Sequence, residues 1–152
     1  MIVYRISQCK YIHDLSGYGA FLEGGRWNSA GHEMIYTSQS IALSMLEVLV
    51  HLPASIAPHD FCLLTLEIPS KDLEIITKDE LPDDWNTYPG SRSTQRIGDL
   101  FLSKQRTLIL QVPSCIVEQE FNFLLNPLHP NFKNSINVLA TEPIRIDKRF
   151  NK

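Results

Sequence analysis

The sequence predicts a single α+β domain in which short strands outnumber helices. Three observations lead there: the length, the spacing of apolar runs, and one helix that is apolar around most of its circumference. A chain of 152 residues fits one compact domain, taken here as 1–152. With 43% hydrophobic and 20% charged residues it has the means to bury a core. Its apolar runs are brief and end at Pro, Gly, Asn or Ser, as strands do.

The elements follow in order. "MIVYRIS" alternates Val3, Arg5 and Ser7 against Ile2, Tyr4 and Ile6, a half-buried strand. "MIYTS" is a second strand, ending at serines able to cap a helix. That helix runs from Ser40 to His51. At about 100° per residue, Ser40, Ser44, Glu47 and His51 fall in a sector of roughly 60°, and apolar residues cover the rest, which predicts a buried helix. "FCLLTLEI" suits a sheet centre, and "LEII" (73–76) is a further short strand. Residues 79–94, with two prolines and a glycine, form a loop. "TQRIGDLFLSKQ" is helical, with Gly98 weakening it. Strands over "TLILQVPS", "EFNFLLN" and "EPIRIDKR" complete the chain.

Charge and cysteines exclude several classes. The net charge is −3, and no basic stripe suits direct nucleic-acid binding; "IRIDKRFNK" is a solvated end. No apolar run reaches the roughly 18 residues of a membrane span, and the N-terminus reads as a strand rather than a signal peptide. Three widely spaced cysteines without CxxC argue against a disulfide framework and for a reducing compartment, hence a cytoplasmic protein. The five histidines have no metal-ligand spacing.

The polar residues at the ends of apolar elements are Arg5, Arg26, Tyr36, Glu47 and Ser114. Arg5 and Arg26 are also readable as ordinary strand and loop arginines, Tyr36 as a core residue, and Ser114 as a turn residue. Glu47 is the least ordinary. A carboxylate on an apolar helix is paired or functional, because an unpaired buried charge is costly. An ion pair with Arg5 or Arg26 and a catalytic role both satisfy that requirement.

Three ordered blocks add a resemblance. "YRI", "GGRWNSAGHEMIYTSQSIALSMLEVLVHL" and "VPSCIVEQEFNFLLNPLHPNF", with "LPDDW" and "IGDLFL" between them, resemble the RES-domain toxins of RES–Xre toxin–antitoxin pairs. The resemblance implies a fold like that of ADP-ribosyltransferases and degradation of NAD+ by hydrolysis or phosphorolysis. NAD+ would be the substrate, inorganic phosphate a possible co-substrate, and no cofactor or metal is implied. It carries Arg5 and Arg26 onto the family's two arginines, Tyr36 onto its tyrosine, Glu47 onto its glutamate and Ser114 onto its serine. All five, Arg5, Arg26, Tyr36, Glu47 and Ser114, would act on the bond to be broken or hold NAD+ beside it. Asn126 of "NPLHP" lies in a family motif as either a site or a support residue. An Xre-type antitoxin in a hetero-oligomer is the implied partner.

The chemistry is coherent with those residues. Guanidinium groups suit a pyrophosphate, and cleavage of the nicotinamide–ribose bond passes through an oxocarbenium-like state that a carboxylate stabilises. The glycines before Arg26 would allow close approach of a ligand. Two other functions stay open: a mono-ADP-ribosyltransferase acting on a protein, and a nucleotide-binding adaptor. Met45, two residues before Glu47, stands where a second carboxylate would favour transfer to arginine.

Overall fold

A computed structural model describes residues 1–52 and 59–150. Seven strands form one mixed sheet: β1 (Ile2–Gln8), β2 (Ile35–Ser38), β3 (Phe61–Glu67), β4 (Leu73–Ile75), β5 (Ile109–Pro113), β6 (Phe121–Leu125) and β7 (Asn137–Ile144). Their order is β4-β5-β6-β2-β1-β3-β7. The pairs are antiparallel except β4 with β5. Four helices accompany the sheet: α1 (Tyr18–Glu23), α2 (Ile41–Leu49), α3 (Arg92–Lys104) and α4 (Phe132–Ser135). The α+β architecture therefore stands as the sequence predicts.

The sheet is apolar on both faces. Val3, Ile35, Cys62, Leu64, Ile109, Phe123 and Leu125 make one layer. On the other face, α3 covers one half with Phe101 and Leu102 against Leu110, Val112 and Leu124. Helix α2 covers the other half with Met45, Val48 and Leu49 against Tyr4, Ile6, Phe61 and Leu63. The strand register sets what lies between the helices. Val112 pairs with Asn122, Asn122 with Ser38, and Ser38 with Tyr4, so this row crosses four strands on one face.

Several expectations need correction. Helix α2 is not buried all round. It turns Ser44 and Glu47 inward and leaves Ile41 39% and Val50 56% exposed. Within the stripe Ser44 and Glu47 face the sheet, where Glu47 has hydrogen-bond partners, and His51 is exposed. Ser40 caps the helix as expected, accepting from the Leu43 N–H at 3.1 Å. Helix α3 starts at Arg92, inside the expected loop, because the Ser91 side chain accepts the Thr94 N–H. The last strand lies earlier than "EPIRIDKR": β7 ends at Ile144, and Lys148–Phe150 is a 3-10 turn. Asn151 and Lys152, the tip of the expected solvated end, lie outside the described residues.

The cysteine reading is also overturned. Cys9 and Cys62 form a disulfide with a Cα–Cα distance of 4.8 Å. The antiparallel β1–β3 register pairs Ser7 with Cys62 and Gln8 with Phe61, so Cys9, just past the end of β1 and bonded to the Asp60 carbonyl, lies diagonally across from Cys62. A 53-residue separation hides this from spacing rules. The inference of a reducing compartment, which rested on unpaired cysteines, loses that support. Among the described residues no helix is long and apolar enough to cross a membrane.

Candidate functional site

Glu47 enters the face between the two helices from the inward side of α2. Its Oε1 accepts the Ser114 hydroxyl at 3.0 Å and the Asn122 Nδ2 at 2.6 Å. No ion pair with either arginine forms among the described residues, so hydrogen bonds, not a salt bridge, hold this carboxylate. Ser114 follows Pro113 at the end of β5 and is fully buried. Its oxygen accepts the backbone N–H groups of Ile116 and Val117 at 3.0 and 3.2 Å. The hydroxyl proton is thereby aimed at Glu47, and among the described residues no histidine faces the serine as the base of a Ser–His pair would.

Tyr36 stands on β2, two residues from Ser38 and so on the same face. Its hydroxyl donates to Asn28 Oδ1 at 2.6 Å and accepts from the Trp27 N–H at 3.1 Å. Burial pushes the phenol well above its usual range, a shift opposed by the Trp27 bond. The hydroxyl is thus a neutral internal tie, and the ring is what Tyr36 can offer a ligand. Asn28, itself buried, donates onward to the carbonyls of Ala20, Ser29 and His32.

That tie explains one glycine of the Gly24-Gly25 pair. A Cβ on Gly25 would lie 2.5 Å from the Tyr36 hydroxyl oxygen. The close approach that excludes a side chain is made by Tyr36, rather than by a ligand as the sequence suggests. Gly24 has a φ of +72°, a conformation glycine adopts without strain.

Arg26 follows directly. Its Nη1 donates to the carbonyls of Trp85 and Thr87 at 2.9 and 2.8 Å, which pins the 82–90 loop beside the site. Nε and Nη2 make no hydrogen bond among the described residues. The Trp85 carbonyl accepts from both Arg26 Nη1 and, at 3.7 Å, the Cys115 thiol, and Cys115 adjoins the Ser114 that bonds Glu47, so Arg26 and Glu47 flank one region. Burial is the main cause that raises the Cys115 thiol to about 11, so it is not an activated nucleophile.

Helix α3 supports the arginine loop. Gln95 donates to the Gly25 carbonyl at 3.0 Å, and Asp99 accepts from the backbone and hydroxyl of Ser29. Gly98, a weak point in a helix by propensity, is where the Trp27 carbonyl crosses α3: a Cβ there would lie 2.7 Å from the Trp27 carbonyl carbon.

The structure brings Arg26, Tyr36, Glu47 and Ser114 to this region, and Arg5 does not share their network. Tyr4 and Ile6 pack toward α2, whereas Val3 and the Arg5 partner Leu64 belong to the other layer. Arg5 therefore leaves β1 on the side away from α2. Its Nη1 donates to the Asp14 carbonyl at 2.6 Å. Burial holds its guanidinium below the usual arginine range, with Asp14 partly offsetting this. Asn126 is buried and braces backbone: it donates to the Leu102 carbonyl and accepts the Leu128 N–H.

Sequence reasoning missed Asn122, Ser38 and Asn28. Asn28 lies within "GGRWN" and Asn122 within "EFNFLLN", but only the strand register shows which of their neighbours they meet. Among the described residues no three or more His, Cys, Asp or Glu side chains converge on a metal-sized site.

Comparison with known proteins agrees with the fold and extends to sequence. The RES domain family model matches residues 2–147. A protein named Toxin Res from Photorhabdus laumondii subsp. laumondii is 39% identical over 153 residues, covering 100% of this chain and 98% of that one. Toxin Res of Yersinia enterocolitica is 36% identical, with 99% of each chain covered. A Sphingobium protein named Prs ADP-ribosylating toxin is 42% identical over 123 residues, covering 79% of this chain and 76% of its own. Among solved structures, the M. tuberculosis MbcT–MbcA toxin–antitoxin complex contains a chain that superposes with a TM-score of 0.74 at 18% identity. That match covers 93% of this chain and 82% of the other, a likeness of fold. With a domain match over nearly its whole length and full-length relatives above 30% identity, the chain belongs to the RES-domain toxin family.

Proposed function

We propose that this toxin cleaves the nicotinamide–ribose bond of NAD+, in the cytoplasm, and passes the ADP-ribosyl group to water or inorganic phosphate. The observation that carries the reading is the Glu47 carboxylate, held through one oxygen by Ser114 and Asn122, with Arg26 linked to the Ser114–Cys115 segment through the Trp85 carbonyl. The C–N bond breaks with its electron pair going to the ring nitrogen, so nicotinamide leaves neutral. Positive charge develops on the ribose, and Glu47 stabilises it. The acceptor oxygen bonds to the ribose carbon and releases its proton to solvent. Arg26, through Nε and Nη2, holds the pyrophosphate. The Tyr36 ring packs against the nicotinamide end, and Ser114 orients Glu47. Arg5, which leaves β1 on the side away from Glu47 and is bonded to the Asp14 carbonyl, takes no part in this step.

Loss of NAD+ arrests growth, so the producing cell holds the toxin in a hetero-oligomer with an Xre-type antitoxin. Support for such a partner comes from the MbcT–MbcA fold likeness. A second reading, transfer of ADP-ribose to a protein, draws on the relative named Prs ADP-ribosylating toxin. Purified, antitoxin-free chain is incubated with NAD+ with and without inorganic phosphate, and products are separated by chromatography. Free ADP-ribose identifies water as acceptor, and ADP-ribose 1″-phosphate identifies phosphate. Label carried from NAD+ onto lysate proteins, without either small product, selects the second reading. No nicotinamide release and no protein labelling overturns both.

A further inference from the structure

Ser114 and Asn122 converge on the same atom of Glu47. Oε1 receives both donors, at 3.0 and 2.6 Å, and Oε2 receives none among the described residues. Nor is Oε2 a buried atom lacking a partner, so it keeps some accessible surface on half-buried Glu47. The carboxylate is therefore anchored through one oxygen and presents the other.

The Asn122 amide has only one sensible orientation. A carboxylate accepts and cannot donate, so Nδ2 must face Glu47 and the amide oxygen must face away. There it meets the Ser38 hydroxyl, which donates to Oδ1 at 2.8 Å. Ser38 is buried, and its strand pairs Ser38 directly with Asn122. Flipping the amide would set Oδ1 against the Glu47 oxygen and break both bonds. The chain Ser38–Asn122–Glu47 runs from β2 through β6 to α2, tying a helical side chain to the rigid centre of the sheet.

We propose that Asn122, oriented by Ser38, is a positioning residue that fixes the Glu47 carboxylate so that Oε2 faces the ribose of the bound substrate. The proposal rests on the NAD+-cleaving reading above. Asn122 does not touch the reacting atoms; it prevents rotation of Glu47 about its terminal bond. Rotation would present the charge at the wrong place, and misplacement on the scale of 1 Å costs up to about 100-fold in rate.

The test is nicotinamide release by Asn122→Ala, Ser38→Ala and Glu47→Gln as single variants, and by the first two on the Glu47→Gln background. The expected result is a fall in kcat of roughly 10- to 100-fold for Asn122→Ala with KM nearly unchanged, because the ground state does not depend on where the charge points. Ser38→Ala, which removes one hydroxyl, falls in the same direction by less. On the Glu47→Gln background, Asn122→Ala adds no further loss, since there is no carboxylate left to place. A merely structural asparagine would instead lower stability and add its loss on that background. Full kcat in Asn122→Ala, or additive losses, overturns the proposal. If the unaltered chain releases no nicotinamide, the proposed reaction is what fails. The orientation is then read from the carboxyl-carbon NMR resonance of Glu47 in glutamate-labelled protein: a shift in Asn122→Ala sustains the anchoring, and an unmoved resonance overturns it.

Discussion

Replacing Gly98 by alanine sets local propensity against tertiary packing, and the two predict opposite signs. Gly98 sits inside α3, where glycine costs about 1 kcal/mol relative to alanine. By propensity alone Gly98→Ala stabilises. The structure reverses this, because the new Cβ would lie 2.7 Å from the Trp27 carbonyl carbon, and closer still to its oxygen. Relieving the carbon contact alone requires α3 and the Trp27 peptide to separate by about 0.8 Å against a ~3.5 Å contact distance, and the nearer carbonyl oxygen requires more than that. Both partners are backbone, so no side-chain rotation relieves the clash. Overpacking of this kind costs about 1–3 kcal/mol or more, and the propensity gain offsets only part of it. The net destabilisation expected is about 1–2 kcal/mol, a fall in melting temperature of roughly 2–8 °C for a chain of this size. Arg26 adjoins the displaced peptide, so NAD+ cleavage should fall along with it. The control is Gly19→Ala in α1, where a Cβ meets nothing within 4 Å; it should melt at or slightly above the unaltered chain. Thermal denaturation followed by circular dichroism decides the matter. A Gly98→Ala chain that melts at or above the unaltered protein would refute the packing argument.

Two further outcomes are expected. Arg26→Lys replaces a guanidinium whose Nη1 bonds two loop carbonyls and whose Nε and Nη2 are the proposed phosphate donors. KM for NAD+ should rise about tenfold with a smaller change in kcat, because a single ammonium cannot reproduce both sets of bonds; an unchanged KM would remove Arg26 from the phosphate site. Alkaline pH should also destabilise the fold. Folding raises the Tyr36 phenol above its ordinary 10.0 and the Cys115 thiol from 9.0 to about 11, each chiefly by burial. Both are neutral acids protected by the fold, so their contribution is complete below the unfolded values and is lost as pH climbs from about 9 through 11. Melting temperature measured from about pH 8 to 11 should decline across that window, and Cys115→Ala should soften the decline.

Much of the site was legible where chemistry and local geometry coincide. The helical wheel placed Glu47 on a narrow polar stripe, and the Ser44–Glu47 part of it does face the sheet. Ser40 announced its cap, and "FCLLTLEI" announced a central strand. Less was legible where meaning depends on residues far apart in the chain. Asn122 and Ser114 meet Glu47 across 75 and 67 residues. Only the β2–β6 register places Ser38 under Asn122. Strand β7, "NVLATEPI", is rich in residues with weak strand preference and is exposed along most of its length. Its place is set by pairing with β3, not by its own pattern. The same holds for Gly98, which weakens a helix in isolation and makes room for a crossing peptide in the fold.

The central claim is that a singly anchored carboxylate at Glu47 drives loss of nicotinamide from NAD+. The most direct measurement compares nicotinamide release by the unaltered chain and by Glu47→Gln, with melting temperatures taken on the same samples. The amide of glutamine keeps an oxygen to accept from Ser114 and Asn122, so the fold should persist while the charge is gone. The account predicts melting within a few degrees and a rate reduced by about 10²–10³-fold, the scale of losing one principal electrostatic stabiliser. A folded Glu47→Gln chain that releases nicotinamide as fast as the unaltered protein would contradict it.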